Sequence, residues 1–336
     1  MKITVQDIEA HSKKALLAHG AADAQAEHVA RAVARAEALG NVICGLYYLE
    51  SYCRQLASGR VNGTVDPIVT LPRGAAVMSD AKFGFAQPAF AAALDLVVET
   101  ALTNGVATLA VCNAHTCTSL GFFTEQIAAR GLIAIGMTNA SSVVAPPGGN
   151  TAVIGTNPIA MTVPGDGAPL MHFDFSTSAV ALGKITMAKA AGEKIPLGWA
   201  VDVDGEPTTD PEAALKGSLV SAGGYKGWGL GLMVELLAAG MTGSVNSLDV
   251  QGLKLPGGAP HGLGQFYILM NPATYSDSFN DRFARLADAV ALQDGARIPG
   301  ANRTALEVVD VSDALWAQVT ALAGCQQEDL TVDGTQ

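Results

Sequence analysis

The chain is short of charge and of aromatic rings: 15% of its 336 residues are Asp, Glu, Lys or Arg, and 6% are Phe, Trp or Tyr. Low charge beside 49% hydrophobic residues excludes an intrinsically disordered chain, which cannot bury enough apolar surface to offset the entropy of ordering. Basic runs are missing as well. The 20 Lys and Arg are outnumbered by 31 Asp and Glu, for a net charge of −11, so a phosphate-neutralising nucleic-acid surface is not expected. Long apolar runs are also lacking. The most apolar stretch, 227–243, is glycine-rich and carries Glu235 near its middle, whereas a membrane span needs about 20 apolar residues. Met1-Lys2-Ile3-Thr4-Val5-Gln6-Asp7 contains no apolar signal core and no small-residue cleavage site, which points to a cytoplasmic protein. Cys44, Cys53, Cys112, Cys117 and Cys325 form no CxxC pair and are odd in number, as free thiols in a reducing compartment would be.

Familiar site signatures are absent too. No GxGxxG follows a strand. The nearest run, Gly227-Trp228-Gly229-Leu230-Gly231, has Leu at 232 and a loop before it, so the tight-turn logic of a Rossmann site fails. There is no GxxxxGK[ST], no HExxH and no GxSxG. His115 and Cys117 alone do not make a metal site, and no metal is expected.

What is present is an α/β pattern. Residues 1–60 read as a helical layer: a helix capped by Thr4 or Asp7 and ending at His19-Gly20, a second over 22–39, and a third over 46–56. Short apolar runs at 68–71 and 75–78 are strands. Helix 88–104, strand 106–112, helix 120–130 and strand 132–138 follow, and their alternation marks an α/β core. Further on come a strand at 159–163, a helix over 177–191, a buried helix over 227–240, a strand at 265–270, an amphipathic helix over 278–292 and a last helix over 313–323. The expected organisation is two interleaved units: 1–112 with 290–336 as a helical, substrate-side domain, and 113–289 as a nucleotide-binding domain.

Polar chemistry concentrates in three glycine- or hydroxyl-rich segments. In Asn113-Ala114-His115-Thr116-Cys117-Thr118-Ser119-Leu120-Gly121 a strand runs into a helix, so the segment is either an anion site at a helix N-terminus or an ordinary Ser/Thr cap. In Phe173-Asp174-Phe175-Ser176-Thr177-Ser178 the Asp either caps the helix over 177–191, or binds a ribose or orders a catalytic site. Gly223-Gly224-Tyr225-Lys226-Gly227 leaves a cation little screened by neighbours, or simply solvated.

Together with Gly155-Thr156-Asn157-Pro158-Ile159-Ala160, Gly183-Lys184, Pro196-Leu197-Gly198-Trp199 and Glu235-Leu236-Leu237, these segments resemble the malate/L-lactate dehydrogenase family that lacks a Rossmann fold. That family includes ureidoglycolate dehydrogenase, 2,3-diketogulonate reductase, sulfolactate dehydrogenase and the Δ1-pyrroline-2-carboxylate/Δ1-piperideine-2-carboxylate reductases. Gly84-Phe85-Ala86-Gln87-Pro88-Ala89 is most similar to the cyclic-imine branch. The resemblance implies a cytoplasmic, homodimeric oxidoreductase using NAD(P)H on a small-molecule substrate. It places the cofactor on Thr116, Cys117, Thr118, Ser119 and Leu120, on Ser141, on Asp174, Phe175 and Ser176, on Lys226 and Gly227, and on Pro299, Gly300 and Ala301.

The sequence departs from the family where the chemistry lies. Ile43-Cys44 stands where the family has Ser-His, the His being its proton donor. Tyr48 replaces the Arg expected to hold the substrate carboxylate, and Thr116 replaces a second His, with His115 beside it. Ketone reduction builds negative charge on oxygen and needs a donor; a cyclic imine can arrive already protonated. The substitutions therefore favour a 2-imino acid over a 2-oxo acid, with Cys44, His115, Lys184 and Tyr48 as candidate polar groups around it. A 2-hydroxy acid dehydrogenase with a relocated acid is the alternative. A nucleotide-binding partner protein without catalysis is the alternative from another class.

Overall fold

A computed structural model describes residues 1–324; Cys325 lies outside the described residues. The first layer is helical. After strand β1 (Lys2–Thr4), helix α1 (Val5–Ala18) begins where Thr4 Oγ1 accepts from Asp7 N at 3.1 Å, and it ends before Gly20, whose φ is 101°. Helix α2 (Asp23–Ala38) runs antiparallel to it, as a short αα connection requires. The third helix, α3 (Leu49–Ala57), starts later than the sequence suggests. Two 3-10 turns, Val42–Cys44 and Leu46–Tyr48, precede it and are separated by Gly45. Ile8, Leu16, Val33, Leu49 and Tyr52 form one core with Trp316, which comes from the other end of the chain.

The centre is a seven-stranded mixed sheet. It takes β2 (Ile68–Arg73), β3 (Ala76–Asp80), β4 (Val106–Ala114), β5 (Ile133–Thr138), β6 (Ile159–Val163) and β7 (Met171–Phe175). Helix α4 (Ala86–Asn104) connects β3 to β4, and α5 (Gly121–Ala128) connects β4 to β5. Helix α6 (Leu182–Ala191), strand β8 (Ala200–Val201), helix α7 (Pro211–Lys216), strand β9 (Ser218–Leu219) and helix α8 (Tyr225–Glu235) follow. Then come β10 (Leu263–Met270), helix α9 (Phe279–Ala291), β11 (Val308–Asp310) and helix α10 (Asp313–Leu322). The strand order is β2-β3-β4-β10-β5-β6-β7. The boundary expected at 112/113 falls inside β4, and the sheet continues across it. β11 returns to pair with β1, with Ile3 opposite Val309, and so joins the two chain ends.

Strand direction decides where a site can form. β3 and β4 are parallel, and β10 is antiparallel to both β4 and β5. β6 is antiparallel to β5 and β7 to β6. So β3, β4, β5 and β7 all end at one edge, where β6 and β10 begin. The loops at 115–120, 139–142, 155–158, 176–181 and 245–262 all meet at that edge, the usual place for ligands in α/β sheets. Phe90, Leu109, Phe123 and Tyr267 fill the core on one face, and Met137, Phe266, Val234 and Ala238 that on the other.

Two helices differ from expectation. The helix expected at 177 starts at Leu182, because residues 177–179 are drawn into tertiary pairing. Thr177 N donates to Thr156 O at 2.9 Å, and Ala179 N to Val220 O at 2.8 Å. Asp174 is therefore not the cap of that helix; it lies within β7. The helix expected to be buried over 227–240 is α8 followed by a π turn, Leu236–Gly240, and it is buried on one side only. Val234 and Ala238 face the sheet, while Leu230, Met233, Leu236 and Met241 are exposed.

The run at 155–158 is braced from behind. Asn157, at φ 36°, donates from Nδ2 to Gly231 O at 3.0 Å and to Glu235 Oε2 at 2.9 Å. Glu235 in turn accepts from Ser247 N at 2.7 Å and from Ser247 Oγ at 2.5 Å. One buried carboxylate at the end of α8 thus ties two of the edge loops together. Asn157→Ala leaves that carboxylate short of a donor. It is expected to lower the unfolding free energy by about 2–3 kcal/mol, read from the denaturant midpoint at unchanged m-value.

Candidate active site

Asp174 organises the near side of the cleft. Its Oδ2 accepts from Ser119 Oγ at 2.6 Å and from Gly121 N at 2.7 Å. The start of α5 is thus capped from β7 across the sheet. It is neither an open anion site nor capped by its own hydroxyls, the two outcomes the sequence left open. A Cβ on Gly121 would strike the His172 ring, so only glycine lets α5 approach β7 this closely.

Cys44 sits against this group. Its thiol is pushed up to about 12, first by burial and then by the Asp174 carboxylate, with the Asn41 side chain opposing. Tyr48 is likewise pushed to about 12, by burial and then by Cys44, Tyr47 and Cys117. Burial, Cys44 and Asp174 raise the Cys117 thiol as well. The loop carrying Cys44 is held by Glu37 of α2, whose Oε1 accepts from Leu46 N at 2.7 Å. A Cβ on Gly45 would overlap that carboxylate, which is why the chain can turn here only at glycine. Burial raises the Glu37 carboxyl and the Leu46 N–H opposes it. Gly183 packs on Ile43, so the first turn of α6 forms the wall opposite; Lys184, next to it, is exposed.

His115 does not join these groups, contrary to expectation. It is 2% exposed, its Nε2 meets Gln55 Oε1 at 2.7 Å, and its ring stacks on His261 with centroids 4.1 Å apart. Tyr52 and Phe85 close its edges. Thr116 is also engaged: its N–H donates to His261 Nδ1 at 3.2 Å. That bond requires a neutral His261 ring with its proton on Nε2, while the Gln55 bond places a proton on His115 Nε2. Burial and the neighbouring His261 push His115 well down, and burial and Arg60 push His261 to about 3.

A cleft of about 450 Å³ opens beside Asp174, lined by Asn41, Ser119, Phe175, Arg297, Gly300 and Arg303 among others. Phe175 shows its ring to solvent and stacks on Phe173 at 4.7 Å. Gly300, at φ 85°, lies where a Cβ would meet the backbone of His172, and Pro299 O accepts from His172 N at 3.0 Å. Ala301 is exposed on the same turn. Thr118 Oγ1 is buried without a partner at the base of the 115–120 loop, and Leu120 is buried ahead of α5. The fold therefore gathers Cys44, Tyr48, Cys117, Ser119, Asp174, Phe175, Pro299 and Gly300. Ser176 turns its hydroxyl to Ser178 O at 3.2 Å. Ser141 follows Asn139, whose amide bonds Val245 O and Gly264 N at 2.9 and 3.0 Å. Lys226 is exposed and Gly227 buried at the start of α8, joined to the rest through the Ser178–Ser221 bridge. Gln55 and His261 carry no sequence signal, because each acts across a large separation in the chain, and Glu37 none because it serves a loop N–H nine residues on.

The family model described as malate/L-lactate dehydrogenase matches residues 3–318. The chain belongs to the malate/L-lactate dehydrogenase family. It is 37% identical over 326 residues to the NADP(+)-dependent (2R)-3-sulfolactate dehydrogenase of Chromohalobacter salexigens, covering 96% of this chain and 98% of that one. It is 38% identical over 287 residues to the Δ1-pyrroline-2-carboxylate/Δ1-piperideine-2-carboxylate reductase of Pseudomonas putida, covering 85% and 84%. The crystal structure of Δ1-piperideine-2-carboxylate reductase from Pseudomonas syringae superposes with a TM-score of 0.89 at 33% identity, over 96% of this chain and 99% of that one. As a family member the chain is an NAD(P)-dependent oxidoreductase, built on a sheet without the Rossmann order.

The buried histidines make stability pH-dependent in this family member. Their folded-state values lie below the unfolded value of about 6.5, so the unfolded chain takes up more protons as pH falls. Their contribution is complete above about pH 6.5 and is lost below it, at up to about 1.4 kcal/mol per pH unit for each ring. His261→Asn keeps an acceptor for Thr116 N–H and removes one titration. The slope of unfolding free energy between about pH 6 and 4 is expected to flatten by about 1 kcal/mol per unit in urea titrations.

Proposed function

We propose that the chain is an NAD(P)H-dependent reductase of a small cyclic 2-imino acid, of the Δ1-pyrroline- or Δ1-piperideine-2-carboxylate type. The observation that carries this reading is the acid inventory beside Asp174. His115 and His261 are buried together at the 115–120 loop, and His172, on the cleft wall, is buried, engaged by Thr162 Oγ1 at 2.9 Å and pushed below the usual imidazole range by burial, so none of the three is a ready acid at neutral pH. The groups left beside the cleft, Cys44 and Tyr48, are held near 12 and are poor proton donors at neutral pH. A protonated imine brings its own proton. Bound NAD(P)H would supply the hydride for the imine carbon; the C=N pair would become the nitrogen lone pair, and the protein would need to give up no proton. Relatives named for cyclic-imine reduction, at 38% identity and in the superposed structure, support the same reading.

The cofactor lies, in this reading, along Thr116 to Leu120, Asp174 to Ser176 and Pro299 to Ala301, with Ser141, Lys226 and Gly227 completing its contacts. The partnerless Thr118 hydroxyl, the open face of Phe175 and the bare backbone at Gly300 suit a dinucleotide. The sulfolactate dehydrogenase relative supports a second reading, oxidation of a 2-hydroxy acid.

Cofactor oxidation with Δ1-pyrroline-2-carboxylate and Δ1-piperideine-2-carboxylate against pyruvate, oxaloacetate and (2R)-3-sulfolactate (run with oxidised cofactor) separates the two. Turnover of the imines alone is expected. Cys44→Ala is expected to keep imine turnover within about fivefold, whereas loss of a proton donor would cost a hundredfold or more.

The same reading includes a cytoplasmic homodimer. Four described cysteines are free thiols, as in a reducing compartment. Leu230, Met233, Leu236 (66% exposed) and Met241 form a continuous apolar flank on α8 and its π turn, suited to a second copy. Leu236→Glu is expected to shift the mass measured by light scattering from dimer to monomer.

A further inference from the structure

The loop between Asp249 and β10 is held more firmly than a surface connection needs. Three residues at the end of α3 and just beyond grip its backbone. Gln55 Nε2 donates to Leu253 O and to Leu255 O, each at 2.7 Å. Ser58 Oγ donates to Pro256 O at 2.6 Å. The Arg60 guanidinium spreads over Gly252 O, Leu255 O and Ala259 O at 3.0, 2.7 and 2.9 Å. Gln55 and Arg60 are 0% and 2% exposed. Burying a guanidinium against carbonyls alone is costly, and what these bonds fix is the path of 251–259.

The residue held between the two Gln55 carbonyls is Lys254. Its ammonium lies 3.2 Å from the ring centroid of Tyr47 and 5.0 Å from that of Tyr48, and it donates to Tyr47 O at 3.4 Å. Among the described residues no carboxylate pairs with it. The π faces orient the ammonium without neutralising it. Tyr48 in turn adjoins Cys44 and Cys117. Of the cations near the Asp174 cleft, Arg303 is paired with Glu125 and Arg297 lies on the cleft wall, whereas Lys254 is the one posed against Tyr48. Gln55 does a second job: its Oε1 accepts from His115 Nε2, beside Thr116. One side chain therefore sets both the position of Lys254 and the start of the 115–120 loop.

We infer that Lys254, posed on Tyr47 and Tyr48, is the cation that takes the carboxylate of the substrate, with the Tyr48 hydroxyl as a second donor. This rests on the reading of the substrate as a small 2-imino or 2-oxo acid. The rival cations are Lys184, which sits beside the Ile43 wall with no described contact to orient its side chain, and Arg297 on the wall of the Asp174 cleft.

The test uses the NADPH-loaded protein and picolinate, a planar carboxylate that cannot be turned over, together with steady-state kinetics on Δ1-piperideine-2-carboxylate. Lys254→Met is expected to weaken picolinate binding and raise KM by about 10- to 100-fold, the usual cost of losing a charge-assisted bond. The affinity for NADPH should stay unchanged, Lys254→Arg should recover most of the loss, and Lys184→Met should leave picolinate binding intact. Equal picolinate binding by Lys254→Met and the parent overturns the inference. So does a loss that follows Lys184 instead, a loss of NADPH affinity in place of carboxylate affinity, or a parent protein that binds no carboxylate. If picolinate binding depends on Lys254 but neither imine nor oxo acid is reduced, the anchor stands and the proposed reaction falls.

Discussion

The Asp174 carboxylate is the interaction on which the site depends. By accepting from Ser119 Oγ and Gly121 N, it fastens the loop after β4 to the end of β7 and replaces a cap that the α5 sequence does not provide. A capping interaction contributes typically about 1 kcal/mol. Its position matters more here, because it brings together two strand ends that are separated in the sheet by β10, β5 and β6. The same charge then shapes the chemistry. Burial first, and this charge in addition, raises the thiols of Cys44 and Cys117 and the phenol of Tyr267.

Two other acids act in the same way. Glu37 accepts Leu46 N and fixes the turn that presents Cys44; Glu235 accepts Ser247 N and gathers Asn157. In all three cases a carboxylate takes a backbone N–H that no strand or helix ladder would satisfy. An unpaired buried N–H would cost about as much as a lost hydrogen bond. Loops that converge on one sheet edge pair with each other only in places, as Thr177 N does with Thr156 O, so side chains supply acceptors for the rest. Glycine is needed where an acceptor approaches closely, at Gly45 against Glu37 and at Gly155 against Asn157 Oδ1 and Ala140 O.

This division explains what the sequence made legible. Helices α1, α2, α4 and α10 and strands β3 to β6 follow from apolar periodicity and from terminal signals such as Thr4 and Gly20, which act within one turn of the chain. The site loops were located by composition, but their internal wiring was not. The role of Asp174 stays open in the sequence, because a short Asp/Ser/Thr run looks the same whether its acceptor serves the next helix or one 53 residues earlier. His115 looked available because it adjoined Thr116; its burial depends on Gln55 and His261, and His261 lies 146 residues away. The exposed flank of α8 gave no sign in the sequence, since an apolar helix face reads alike whether a sheet or another molecule covers it.

The electrostatics of the cleft bear on the choice between imine and ketone. A potential that disfavours a thiolate at Cys44 disfavours any anion formed beside it, including the alkoxide that ketone reduction creates. Burial, the larger cause, costs a cation as well, but the Asp174 charge that adds to it favours one, and a protonated imine is a cation. Hydride transfer to that cation removes charge from a poorly solvated pocket, which lowers the reorganisation required there. The substrate's carboxylate would meet Asp174 unfavourably if it lay on the same side, so the two ends of the substrate need opposite fields. Lys254 above Tyr47 and Tyr48 supplies the positive end, with Asp174 as the negative one. A pocket polarised in this sense fits a zwitterion whose nitrogen and carboxylate are joined through one carbon. It fits a neutral carbonyl less well, because the negative end would then act against the oxygen that must gain charge.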